Sequence, residues 1–139
     1  MLMTIFVSCA PLVRVRLDQT IESLPEKPRE TVLLTSERVS ASGSDCVAYS
    51  VQEVYGTQQP LEMLVDYYQA ELEKDGWQKL HGYSPDSDEV AAFRRNNDEY
   101  LGIYREDAIS VRTTVSQLSR EILLPFEDIY VLDITRTCG

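Results

Sequence analysis

Leu61, Leu64, Val65, Tyr68 and Leu72 recur at helical spacing and make one apolar stripe, while the segments on either side are short and either alternate or carry turn residues. A chain with one well-marked helix among short alternating segments has few ways to bury both patterns in one core. The helix also carries its own punctuation. Pro60 suits the first helical position, and Glu62 sets a negative charge in the positively polarised first turn. Gly76 is free to take the left-handed backbone that ends a helix, after which Trp77 folds back on Leu72 in a Schellman arrangement. A helix is therefore expected over residues 60–75.

Residues 31–39 read as a first strand, followed by the turn-rich residues 40–45. Val47, Tyr49, Val51 and Tyr55 then fall on one side of a second strand that ends at Gly56. After the helix, strands are expected over 77–83, 90–95 and 100–105, separated by Ser84-Pro85-Asp86-Ser87-Asp88 and Asn96-Asn97-Asp98. Ile109, Val111, Thr113 and Val115 alternate with Ser110, Arg112, Thr114 and Ser116, which predicts another strand, and 128–137 is the last. Connections this short favour hairpins over parallel crossovers. The expected fold is α+β, an antiparallel sheet of about five or six strands with one main helix packed on one face. With 139 residues the chain fits one domain that buries a core without disulfides or metals.

Charge narrows the partners. Thirteen Lys and Arg stand against 23 Asp and Glu, a net charge of -10, and no block of basic residues supplies the concentrated positive field that a phosphate backbone requires. Nucleic acid is not an expected partner.

The chain opens on an apolar run, Met1-Leu2-Met3-Thr4-Ile5-Phe6-Val7-Ser8, that stops at Cys9. This run resembles the end of a bacterial lipoprotein signal peptide, in which an apolar stretch leads to an apolar residue, two smaller ones and the cysteine that takes a lipid. Phe6-Val7-Ser8-Cys9 carries the resemblance, with Phe6 where Leu is usual. The basic flank of an export signal would come from a start codon further upstream. The resemblance implies lipidation of Cys9, residues 1–9 as a signal-peptide remnant, attachment to a membrane through the lipid, and a place on the extracytoplasmic side of the bacterial cell envelope. Residues 19–30 hold two prolines, several charges and no aromatic residue, which reads as a tether. Residues 10–30 are accordingly assigned to the tether and 31–139 to a single α+β domain. The competing reading makes 3–16 a buried strand, against which stands Pro11, unable to donate a ladder hydrogen bond.

Three cysteines leave one over in an exported protein. With Cys9 lipidated, Cys46 and Cys138 remain as a disulfide candidate, one opening a strand and the other closing the last; two separate thiols are the alternative. A bridge across so long a loop stabilises by on the order of 4 kcal/mol in the chain-entropy model. The succession of strand, helix ending in Gly-Trp and hairpins also resembles small bacterial envelope proteins of unknown function, through Tyr67-Tyr68, Leu72, Gly76-Trp77 and Phe93-Arg94. That resemblance implies a fold and no activity.

No CxxC, HExxH, GxSxG or glycine-rich phosphate loop occurs, so no catalytic residue, cofactor or metal site is assigned. His81, the single histidine, reads as a partly exposed strand residue, and a Cys46–His81 dyad lacks an orienting third group. Asp86, Asp88 and Glu89 lack the central Gly and closing Glu of a calcium loop and read as a solvated turn. More informative are 100–104 and 129–132, which are apolar on both faces where a sheet covered once should alternate. One helix covers one face. The other must be closed by the N-terminal segment, by sheet curvature or by a partner. Arg94, Tyr100, Tyr104, Arg105 and Arg112 have the composition of a recognition surface. The expected role is a membrane-tethered, non-catalytic binding or assembly module with an envelope protein as partner. The alternatives are a small ligand-binding domain or enzyme with a sheet-face pocket, and a cytoplasmic accessory protein.

Overall fold

The computed structural model describes residues 9–42 and 47–137. The chain runs α1 (Cys9–Glu22), β1 (Thr31–Ser42), β2 (Val47–Thr57), α2 (Leu61–Lys74), β3 (Gln78–His81), β4 (Glu89–Arg95), β5 (Glu99–Arg105), a 3-10 turn (Ile109–Val111), α3 (Arg112–Val115), α4 (Arg120–Leu123) and β6 (Asp128–Arg136). The strands form one antiparallel sheet in the order β1-β2-β6-β5-β4-β3. The last strand of the chain therefore sits in the middle. Its continuous apolar run follows from that position: Tyr130, Leu132 and Ile134 join the cluster on one face, and Ile129 and Val131 join a second cluster on the other.

The first face is covered by helices. Leu64, Val65, Tyr68 and Leu72 of α2 pack onto Phe93, Leu101, Ile103 and Leu132. The end of α2 has the expected cap. Gly76 has φ 86°, its N–H reaches the Glu73 carbonyl at 3.3 Å, and the Trp77 N–H reaches the Leu72 carbonyl at 3.1 Å. A β-carbon added at Gly76 would meet nothing within 4 Å, so Gly76→Ala carries only the cost of a left-handed backbone. It should lose about 1 kcal/mol, read as a lower urea midpoint at unchanged slope.

The segment 10–30 is not a tether. Most of it is helix α1 and the turn that follows, and Leu17 and Thr20 are each 1% exposed. Pro11 stands in the first turn of α1, where a missing N–H breaks no intrahelical bond. A polar network pins α1 to the sheet. Glu99, 3% exposed, accepts from Arg95 Nε at 2.9 Å, Arg95 Nη2 at 2.8 Å and Thr20 Oγ1 at 2.6 Å. Arg136 lies 3.2 Å from the same carboxylate and 2.8 Å from Asp98. Burial pushes the Glu99 carboxyl up, but the hydrogen bonds from Arg95 and Thr20 and the two guanidinium charges outweigh it and hold the group below its ordinary value.

The second face is closed by the chain itself, through a device the alternation conceals. Residues 109–115, expected as a strand, instead form the 3-10 turn and α3. Val111 and Thr114, three apart, are the buried positions, while Ile109 is 77% exposed. That is a helical period, and the segment takes it because Ala108, Val111, Val115, Leu118, Leu123 and Phe126 lie over Val54, Ile129 and Val131. Residues 106–127 are thus a cover, and neither sheet curvature nor a partner is needed over this part of the sheet. Gly56 is the fitting point: a β-carbon there would stand 2.5 Å from two ring carbons of Phe126.

Candidate functional site

Beyond the cover, the second face carries a polar and aromatic patch. Cross-strand register sets Glu89 opposite Tyr104, Ala92 opposite Gly102 and Arg94 opposite Tyr100, while β6 places Asp133 beside Gly102 and Thr135 beside Tyr100. Gly102 leaves room at the centre. A β-carbon there would lie 2.7 Å from a Tyr104 ring carbon, 2.9 Å from Glu89 Oε2 and 3.3 Å from a Tyr100 ring carbon, so both rings and the carboxylate close over the bare backbone.

Glu89 organises the patch. It accepts from His81 Nε2 at 2.8 Å and from the hydroxyls of Tyr100 and Tyr104. Burial pushes its carboxyl up, but these three donors outweigh burial and hold it below the ordinary value. Burial first, then Glu89, raises both phenols well above theirs. The two ring nitrogens of His81 face two acceptors, the Glu89 carboxylate and the Gly82 carbonyl at 3.1 Å. Asp133 is raised by burial, against hydrogen bonds from Gln52 at 3.1 Å and Thr135 at 2.9 Å. The Gln52 side-chain oxygen in turn accepts from Thr114 Oγ1 of the cover at 2.5 Å. The two tyrosine hydroxyls are therefore committed to Glu89, and the patch presents the half-buried tyrosines and the exposed Arg94 side chain.

The expected surface is only partly assembled. Arg94, Tyr100 and Tyr104 come together, the two tyrosines half-buried. Arg105 leaves the group at the end of β5, donating to the Pro85 carbonyl and lying 3.9 Å from Asp107. Arg112 stands on α3, whose main contacts with the sheet are to β1 and β2 rather than to the strands that carry the tyrosines. Glu89 is a correction: Asp86 and Asp88 are exposed, as a solvated turn requires, but Glu89 opens β4 and is drawn into the patch. The register shift between Glu89 and Ala91 hides this from simple alternation. Cys9 opens α1, but its side chain, like all of Cys46 and Cys138, lies outside the described residues; β2 and β6, which those last two flank in sequence, are antiparallel neighbours with Tyr49 opposite Arg136.

The first face holds a feature that sequence reasoning missed. A recess of about 120 Å³ opens between the N-terminal segment and the sheet, with Leu24, Pro25 and Lys27 on one side and Glu53, Tyr55 and Tyr68 on the other. Tyr55 stacks on Tyr130 at 5.2 Å between ring centres, and the Tyr130 and Tyr68 hydroxyls are 2.9 Å apart. Glu53 sits in the inward row of β2 between Val51 and Tyr55. An acid in a row of core-facing residues was the available signal. Among the described residues, no group of three or more His, Cys, Asp or Glu side chains is placed to hold a metal ion. Neither protein-family models, nor curated proteins, nor solved structures match the chain.

Proposed function

We propose that the chain is a membrane-tethered, non-catalytic binding module of the bacterial cell envelope, anchored by a lipid on Cys9 and contacting an envelope protein through the patch at Arg94 and Tyr100. The observation that carries this reading is the apolar run ending in Ser8-Cys9, followed at once by a helix that reaches the core at Leu17. Eight residues of helix rise about 12 Å, so a lipid on Cys9 would hold the domain close against the bilayer rather than on a long leash. The patch supports a binding role because internal hydrogen bonds fix its aromatic rings in place, and preorganised side chains lose little entropy on association. The antiparallel pairing of β2 with β6 supports a Cys46–Cys138 bridge as part of the same proposal.

In a bacterial host, with upstream residues restored, the protein should incorporate labelled palmitate and partition into detergent, and Cys9→Ser should abolish both. Non-reducing peptide mapping of the same fraction should give one fragment joining Cys46 to Cys138. Wild-type protein that remains unlabelled and soluble would end the lipid-anchor reading. For the partner, Arg94→Glu is the cleanest variant, because Arg94 is exposed while Tyr104 hydrogen-bonds Glu89 and packs on the second cluster. It should abolish crosslinked pull-down from envelope fractions and leave the circular dichroism spectrum unchanged. A second reading, a small ligand-binding domain with a sheet-face pocket, is favoured by the recess under the N-terminal segment.

A further inference from the structure

We infer that the recess between the N-terminal segment and β2 is a binding site for a small organic ammonium ion, with Glu53 as its counter-ion and the Tyr55 and Tyr68 rings as its walls. The inference rests on the second reading above, a small ligand-binding domain, and not on the lipid or the Arg94 patch. Glu53 is half-buried and lines the recess. None of the ion pairs among the described residues includes it. Its side-chain hydrogen bond is to Tyr55, and burial, the larger influence, raises its carboxyl above the ordinary value. A partly desolvated carboxylate with one neutral donor is stabilised by any cation that enters beside it.

The surroundings choose among cations. One carboxylate flanked by Leu24, Pro25, tyrosine rings and the exposed Lys27, whose ammonium forms no ion pair with it, offers a hydrated metal ion too few oxygens. The same walls suit the carbon-bound hydrogens of an alkylammonium, which pack on aliphatic side chains and on the negative faces of aromatic rings. The volume of about 120 Å³ holds on the order of four to six heavy atoms, taking roughly 30 Å³ for a water-sized group as the upper share of each. The net charge of -10 further raises the local concentration of cations over anions.

The test is an NMR titration of the full chain with ethylammonium chloride, with ethanol and sodium acetate as neutral and anionic controls. Saturable shifts confined to signals of Tyr55, Tyr68 and Leu24 are expected with ethylammonium alone, and Glu53→Gln should weaken them by roughly tenfold. Equal shifts from ethanol, equal binding by Glu53→Gln, or no saturable shift up to tens of millimolar would each overturn the site. The ethanol comparison keeps the proposal falsifiable if Glu53→Gln fails to fold. Failure here leaves palmitate labelling and the Arg94→Glu pull-down untouched, so the tether and partner reading is judged separately.

Discussion

Replacing Glu99 by Ala should destabilise the domain by about 3 kcal/mol or more, the usual loss when one member of a buried charge group is removed. Two guanidinium groups, on Arg95 and Arg136, converge on this carboxylate together with the Thr20 hydroxyl of α1. Without it, Arg136 keeps Asp98 and Arg95 keeps its 3.0 Å bond to Ser23 Oγ, but Arg95 loses both of its contacts with the buried carboxylate. The loss should fall first on α1, whose amides at 17–22 should exchange faster than those of the central strands. The pH dependence has a definite sign. The native carboxyl titrates below its unfolded value, so its contribution is complete above the ordinary carboxylate range near pH 4 and disappears as pH falls through the lowered native value. The difference in urea stability between wild type and Glu99→Gln should therefore be large at pH 7 and shrink below pH 4. A constant difference across that range would contradict the assignment.

Gly56→Ala should cost about 2 kcal/mol for a different reason. Three Phe126 ring carbons lie 2.5 to 2.7 Å from where the new methyl would sit, closer than real contacts allow, so the ring must leave. Phe126→Ala should cost a similar amount by uncovering Val54, Ile129 and Val131. The double variant is the informative one. The methyl at 56 then occupies space the ring has vacated, and the combined loss should be smaller than the sum of the single losses by about 1 kcal/mol or more. Strict additivity in denaturant unfolding would mean that the two residues do not touch.

Both effects concern parts of the molecule that the sequence discloses unevenly. Local rules that depend on backbone chemistry are legible: the stripe from Leu61 to Leu72, the glycine that ends it and the Trp77 return all stand where helix physics places them. So do the hairpin strands, whose turn residues and alternation are short-range properties. What alternation does not reveal is what covers what. Ile109, Val111, Thr113 and Val115 fit a strand by spacing, yet the doubly apolar β6 needs a lid, and tertiary demand overrides the weak β preference of four residues. The polar, proline-bearing stretch after Gln19 likewise suggested a tether because Leu17, Thr20 and Ile21 are too few to make an obvious stripe. Glu99 and Glu53 show the same limit at the level of charge. Each is an acid on a core-facing row, and only the assembled neighbours distinguish a carboxylate held by two arginines from one that joins no ion pair among the described residues.

That the chain itself covers the first face of its sheet and the β2–β6 part of the second is tested most directly by a nuclear Overhauser experiment on the protein in solution. Cross-peaks between the Phe126 ring and the α-protons of Gly56 on one face, and between the Leu17 methyls and side chains of the first cluster on the other, are the expected result. Their absence, with 106–127 or α1 showing the fast amide exchange of unpacked chain, would mean that a sheet face is open and must be covered by something else.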